Sequence, residues 1–457
     1  MTNYVSPIDL AGTNRVMGDA IDIGCYERPA AEFEASFTTD VLEGFAPMTV
    51  TFTASVKGSA ATGDIRYYWD FEGDGVYEEQ TSSATIVKSI PAGKPTVSLI
   101  ASNLTSNVGS ESFAKPNAVN SVPKTIHVVA GNNKAAFPYD SEANGAKDIP
   151  TAYDLAIDGC TVLVHPGDYP LTAAIEFTKA VTMRGTTGNP ADVRVSCNVA
   201  GVEYFLTLNN AALFLADLTV QSGTKSPNKY LLYDGSFGGT VSNCVIRNYT
   251  SGNVWASAPV CLQRSNSLIT HCVFTNNYAT STYAEYGGAG AVVLTGGARA
   301  ENCLVVDCRA NRDAGGITVN NGKAVNCTVV RCSAPVGGIS CGTGGFVTNC
   351  LIACNSATDA ANANVNTTGE GFANFSHCAS ETVVADGWVL GTTNTLFRDF
   401  AAGDYRPRRT SPIFHAGAYV PSVAGTVDLR GRPRKAPRPL DIGCYKIPDD
   451  GFVIIAR

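Results

Sequence analysis

The sequence predicts an all-β chain: a right-handed parallel β-helix, a single-stranded solenoid, over roughly its last three hundred residues, preceded by a β-sandwich. Three observations carry this. Asn243-Cys244, His271-Cys272, Asn302-Cys303, Asn326-Cys327, Asn349-Cys350 and His377-Cys378 recur at spacings of 28, 31, 24, 23 and 28 residues, each the length of one solenoid turn. Residues 30 to 130 alternate apolar with polar side chains in short runs broken by Gly, Pro and Ser, the period of half-buried strands. Composition agrees, since 45 glycines, four methionines and 16% charged residues suit short strands and tight turns better than long amphipathic helices.

At 457 residues the chain exceeds one ordinary core, and it divides into four segments. The first, residues 1–29, repeats part of the last. IDLAGTNRVMGDAIDIGCYE at 8–27 aligns without a gap on VDLRGRPRKAPRPLDIGCYK at 427–446, with nine of twenty positions identical. The chain therefore reads as about one period of a tandem protein, cut inside one terminal cap and running to the next.

The second segment, 30–130, holds the strand runs AEFEASFTTD, MTVTFTASV, IRYYWDFEGDGVYEE, ATIVKSI and KPTVSLIAS. Within it Trp69 precedes a tight Asp-Gly turn. Asp70, Glu72 and Asp74 alternate along that turn, so their carboxylates could cap backbone N–H groups or feed oxygen ligands to Ca²⁺. The residues Tyr68-Trp69-Asp70-Phe71-Glu72-Gly73-Asp74-Gly75 resemble the signature of bacterial polycystic-kidney-disease-type domains. That resemblance implies an immunoglobulin-like sandwich used as a spacer on surface and secreted proteins.

The third segment, 131–395, opens with an amphipathic helix pattern from Asp148 to Gly159, followed by the strand-and-turn run CTVLVHPGDYPL. A helix there would close the first coil and stop its open edge from pairing with another chain. This order resembles pectate-lyase-like β-helix proteins. Stacked coils place like residues about 4.8 Å apart, so Asn243, Asn302, Asn326 and Asn349 can bond one to the next while adopting the left-handed backbone of a sharp turn. Cys244, Cys272, Cys303, Cys327 and Cys350 fall beside them as small buried hydrophobes, which favours a ladder of free thiols over disulfides among the fifteen cysteines. The absence of any Cys-x-x-Cys pair leaves zinc and redox chemistry without support. Glycine pairs at Gly287-Gly288, Gly315-Gly316, Gly337-Gly338 and Gly344-Gly345 mark a second corner. With Phe274-Thr275-Asn276-Asn277 they resemble the repeats of polymorphic-outer-membrane-protein-type adhesins.

The fourth segment, 396–457, reads as a C-terminal cap. Ser411-Pro412-Ile413, Val427 to Pro433 and Asp441-Ile442-Gly443-Cys444-Tyr445 resemble the choice-of-anchor-Q-type segment, which implies bacterial export and surface display.

Charge narrows the partners. A net charge of −7 excludes a whole-chain footprint for nucleic acid, yet residues 396 to 446 hold ten bases against four acids. Arg406, Arg408, Arg409, Arg432, Arg434 and Arg438 thus form a basic cap suited to an anionic partner, either an acidic polysaccharide or the acidic sandwich of a neighbouring copy in a head-to-tail fibre. No run of eighteen apolar residues exists to span a membrane, and the first residues begin no export signal.

For catalysis the best local cluster is Glu285, Arg309, Arg312 and Asp313, acids and arginines of the kind that act beside a uronate carboxylate. Against it, Asp307 and Arg331 each follow a coil cysteine by four residues and should stack as an exposed ion pair with no function. His127, His165 and His415 lack an acid and nucleophile nearby in sequence. The sequence accordingly favours a non-enzymatic surface or extracellular adhesion or scaffolding module needing no cofactor. A polysaccharide lyase or glycoside hydrolase is the alternative.

Overall fold

A computed structural model describes residues 33–250, 258–281, 288–367, 371–382, 387–434 and 439–448. The chain forms two compact units, Met1–Lys124 and Thr125–Arg457.

In the first unit, Glu34–Thr39, Met48–Lys57 and Thr85–Ile90 make one antiparallel sheet, and Ile65–Asp70 pairs with Glu79–Thr81 and Val97–Asn103 in another. Alternation dictates the packing: along Met48–Lys57, Met48, Val50, Phe52 and Ala54 are buried while Thr49, Thr51 and Thr53 face outward or lie half-buried. The inward rings of the two sheets meet, Phe37 and Phe52 each standing edge-on to Trp69 at 5.4 and 5.9 Å. Trp69 is fully buried. Each such edge contact adds about 0.5–1.5 kcal/mol to the burial itself.

The second unit is a parallel β-helix, right-handed as parallel crossovers nearly always are. Its first strand, Thr125–Val128, pairs in register with Thr161–Val164, so the coil begins a few residues before the expected 131. The expected helix is present over Ile149–Leu155, capped by Asp148, whose side chain accepts from Thr151 N at 2.8 Å. It ends before Gly159, because the cap residue Ala156 has already left helical geometry.

The middle coils carry four short strands. One such turn runs Ile317–Val319, Lys323–Val325, Thr328–Val330 and Ser333–Ala334, and each strand pairs with its counterpart in the next coil. Between the second and third strands the turn consists of the Asn-Cys dipeptide. Asn243, His271, Asn302, Asn326, Asn349 and His377 all hold φ between 47° and 55°, the left-handed region that Asn tolerates better than most residues. Asp217 at φ 62° extends the series one coil earlier; Leu218 replaces the marker cysteine there, so the spacing did not reveal it.

The glycine pairs serve two different corners. At Gly337 and Gly338 an added Cβ would lie 2.1 Å from Ala363 O and 2.2 Å from Asn364 O, so close approach of the next coil requires glycine. Gly344-Gly345 instead lies at the corner between the first and second strands, where Gly344 has φ +66°. Gly287 lies outside the described residues. Inside the stack Ile246, Phe274, Val305, Val329 and Ile352 form a buried column. The described cysteines are free thiols. Cys327 Sγ donates to Val325 O and Ala300 O, both at 3.5 Å, and burial pushes the Cys378 thiol up to about 12.

Candidate functional site

The C-terminal segment does not simply cover the end of the coils. After a hairpin of Phe397–Asp399 with Asp404–Pro407, residues 411–434 and 439–448 lie along the flank of the stack and clasp the Asn-Cys corner. His271 Nε2 meets Val427 O at 2.9 Å, and that carbonyl can only accept. Asn302 Oδ1 accepts from Arg434 Nε at 3.1 Å. Asn326 Nδ2 donates to Asp441 O at 2.9 Å, and Asn349 exchanges bonds with Ala418 N and O at 2.7 and 2.9 Å. The expected bonding of one corner side chain to the next survives at Asn349 to Asn326, 3.2 Å, and at Asn243 to Asp217, 2.8 Å. At Asn302 only the side-chain oxygen engages the clasp, and the buried Nδ2 finds no acceptor among the described residues.

Two buried carboxylates set the shape of the clasp. Asp428, 1% exposed, accepts from Arg430 N and Arg432 N through Oδ1 and from Lys446 N through Oδ2. Asp441 accepts from His415 N and Ile447 N, both within 2.8 Å. Arg434, 2% exposed, threads between them and donates to Gly443 O at 2.8 Å. Burial disfavours its charge and lowers its pKa, a cost that the nearby carboxylates of Asp428 and Asp441 offset only in part.

Because Asp428 is satisfied by backbone N–H groups, the side chains around it face a cleft of about 140 Å³ with a strongly positive lining: Arg398, Arg406, Arg409, Arg430, Arg432 and Lys446. Among the described residues Arg430 and Arg432 make no ion pair. Arg406 pairs with Asp404, whose carboxyl its hydrogen bonds hold below the usual carboxylate range. Tyr445 closes the cleft, and burial pushes its hydroxyl pKa upward.

Of the basic residues read from sequence, Arg406, Arg409 and Arg432 line this cleft. Arg408 instead donates to Phe397 O at 2.9 Å, Arg434 is a core residue of the clasp, and Arg438 lies outside the described residues. Arg398, Arg430 and Lys446 were missed, although they belong to the same basic stretch; only folding shows which of its members converge.

The catalytic candidates do not assemble comparably. Arg309 lies over the Tyr278 ring at 5.6 Å, in an open groove of about 520 Å³ with Asn311, Ser333 and Ser356. No described carboxylate lines that groove. Arg312 and Asp313 are 3.8 Å apart, and Asp313 spends Oδ2 on Gly288 N. Glu285 lies outside the described residues. The Asp307–Arg331 pair forms at 2.8 Å with both side chains about two-fifths exposed. Folding does join His127 Nδ1 to His165 Nε2 at 2.9 Å, with Glu142 3.5 Å from the other ring nitrogen, His165 Nδ1, a triple that separation in sequence concealed.

At the turn after Trp69, Asp70 accepts from Glu72 N, Gly73 N and Gly75 N, the capping role. Asp70 and Asp74 are brought together with Glu78, their ligand atoms all within 4.8 Å of one another, whereas Glu72 is not of the group. Among the described residues these three carboxylates form the group that could take a Ca²⁺, with both Asp70 oxygens already accepting.

The fold and clasp define a parallel β-helix protein with a flanking C-terminal segment. No protein-family model matches the chain, and no curated protein matches it in sequence. Among solved structures it is similar to pectate lyase Pel9A, at 14% identity and a TM-score of 0.43 over 71% of this chain and 97% of that one. A pectin methylesterase from Aspergillus niger aligns at 11% identity and a TM-score of 0.29 over 57% and 84%. At these identities neither likeness bears on activity. Among the described residues no helix is long and apolar enough to cross a membrane.

Proposed function

We propose that this chain is a structural module of the extracellular or cell-surface kind whose basic cleft holds an acidic polysaccharide. The observation that carries this reading is the convergence of six cationic side chains on a frame built by a buried, fully bonded Asp428. Carboxylates or sulfates spaced along a glycan suit such a cleft, since guanidinium groups pair with them in planar, two-point fashion. Arg398 and Arg406 come from the terminal hairpin and Arg430 and Arg432 from the clasp, so ligand would also tie these two elements together. The sandwich, with its polycystic-kidney-disease-type motif, and the anchor-like ending fit a spacer and a display segment in this reading.

The test is retention on polygalacturonate, alginate and a sulfated glycan against neutral dextran. Binding should weaken with salt, and Arg430→Ala with Arg432→Ala should lower affinity about tenfold, at under 1 kcal/mol for each exposed charge. Equal retention on dextran, or a variant that binds as wild type, would refute the cleft. A second reading, a lyase or hydrolase for acidic polysaccharide, has one feature in its favour, the Arg309–Tyr278 groove. Unsaturated products or new reducing ends, abolished by Arg309→Ala, would favour it.

A further inference from the structure

The repeat between 8–27 and 427–446 can be read against what the second copy does. Every one of the nine identical positions has a structural task in the clasp. Asp428, Arg434 and Asp441, matched by Asp9, Arg15 and Asp22, are its buried charged framework. Ile442 and Cys444, matched by Ile23 and Cys25, are fully buried, and Leu429 and Tyr445, matched by Leu10 and Tyr26, pack against the same cluster. Gly431 and Gly443, matched by Gly12 and Gly24, hold φ of +77° and +92°. At Gly443 an added Cβ would also lie 2.7 Å from Thr328 Oγ1 on the coil beneath. The cleft cations, by contrast, are not repeated: Arg430, Arg432 and Lys446 correspond to Ala11, Thr13 and Glu27. What recurs is the part that docks on a coil corner, without the part that lines the anion cleft.

We infer that residues 8–27, which lie outside the described residues, are a second clasp, and that they seat on the Asn302–Asn326–Asn349 corner of another copy of this chain in place of that copy's 427–446. Arg15 is the counterpart of Arg434, which donates to Asn302 and to Gly443 O in the resident clasp. The two clasps compete for one corner. The resident one is favoured by its tether, which holds it at an effective concentration on the order of 1 mM, so exchange between copies grows as the resident clasp is weakened or the chain is concentrated. This inference does not depend on the anionic ligand.

Sedimentation of the full chain tests it. Arg434→Ala should move the mass from 47.8 kDa to at least twice that at about 100 µM, well under the tether's concentration. Adding Arg15→Ala should return it to monomer, while adding Asp19→Ala, at a position that is not repeated, should leave it associated. A folded Arg434→Ala chain that stays monomeric, or association that persists with Arg15→Ala, overturns the inference. Should Arg434→Ala fail to fold, wild type against Arg15→Ala at about 1 mM gives the same comparison with the resident clasp intact. Dimers in wild type alone support exchange, and identical masses refute it.

Discussion

Asn326 shows how one side chain can serve two demands that the sequence presents as one. Its backbone needs a left-handed conformation, φ 51°, and its amide holds the clasp through Asp441 O and Gly443 O. The two demands separate by substitution. Asn326→Gly keeps the conformation and loses the bonds, a cost of about 0.5–1.5 kcal/mol for each, while Arg434 still donates to both carbonyls. Asn326→Ala loses both and should cost about 1 kcal/mol more, since Ala pays for the left-handed turn. Urea midpoints of the two variants measure the difference; equal midpoints would show that the turn imposes no strain. The repeat spacing made this residue legible as a corner, but its partner is more than a hundred residues away, and no local pattern encodes such a bond.

At the scale of elements, the first strand of the β-helix carries a pH dependence. His127 on Thr125–Val128 bonds His165, which follows the neighbouring strand. Burial first, and His165 second, pull the His127 pKa below its ordinary 6.5. In the unfolded chain it protonates near that value, whereas in the folded chain it stays neutral to lower pH. The associated stability is therefore full above about 6.5 and is lost as pH falls from there toward the folded-state pKa. Urea midpoints from pH 8 to 5 should decline in wild type and decline less in His127→Asn, and parallel curves would exclude the pair as the cause. Corner glycines illustrate the same limit on reading elements from sequence. Gly337-Gly338 and Gly344-Gly345 look alike as dipeptides, yet the first is required by the carbonyls of the next coil and the second includes a left-handed turn at Gly344.

Across the β-helix unit, stability should follow the clasp. Repeat stacks hold together through nearest neighbours, but bonds from 411–448 reach the corners at His271, Asn302, Asn326 and Asn349, fastening four coils as a block. Amides of Val305, Val329 and Ile352 should consequently exchange hydrogen only through opening of that block. Those of Val195 and Val220, in coils whose neighbouring corners at Asp217 and Asn243 make no such contact among the described residues, should exchange through smaller openings. Hydrogen exchange read by mass spectrometry checks this, and uniform protection along the stack would contradict it.

The sequence by itself determined the coil, because each turn repeats the same local demand: an αL-tolerant residue, a small buried thiol and a short apolar strand at one-turn spacing. It determined the antiparallel strands of the first unit in the same way, through alternation around Phe52 and Trp69. Tertiary structure decided what the corner asparagines bond, which arginine of the basic stretch is buried and which line a cleft, and that His127 meets His165. Those choices depend on contacts between residues far apart in the chain, where burial and the need to satisfy every buried polar group select one partner among many of the same type.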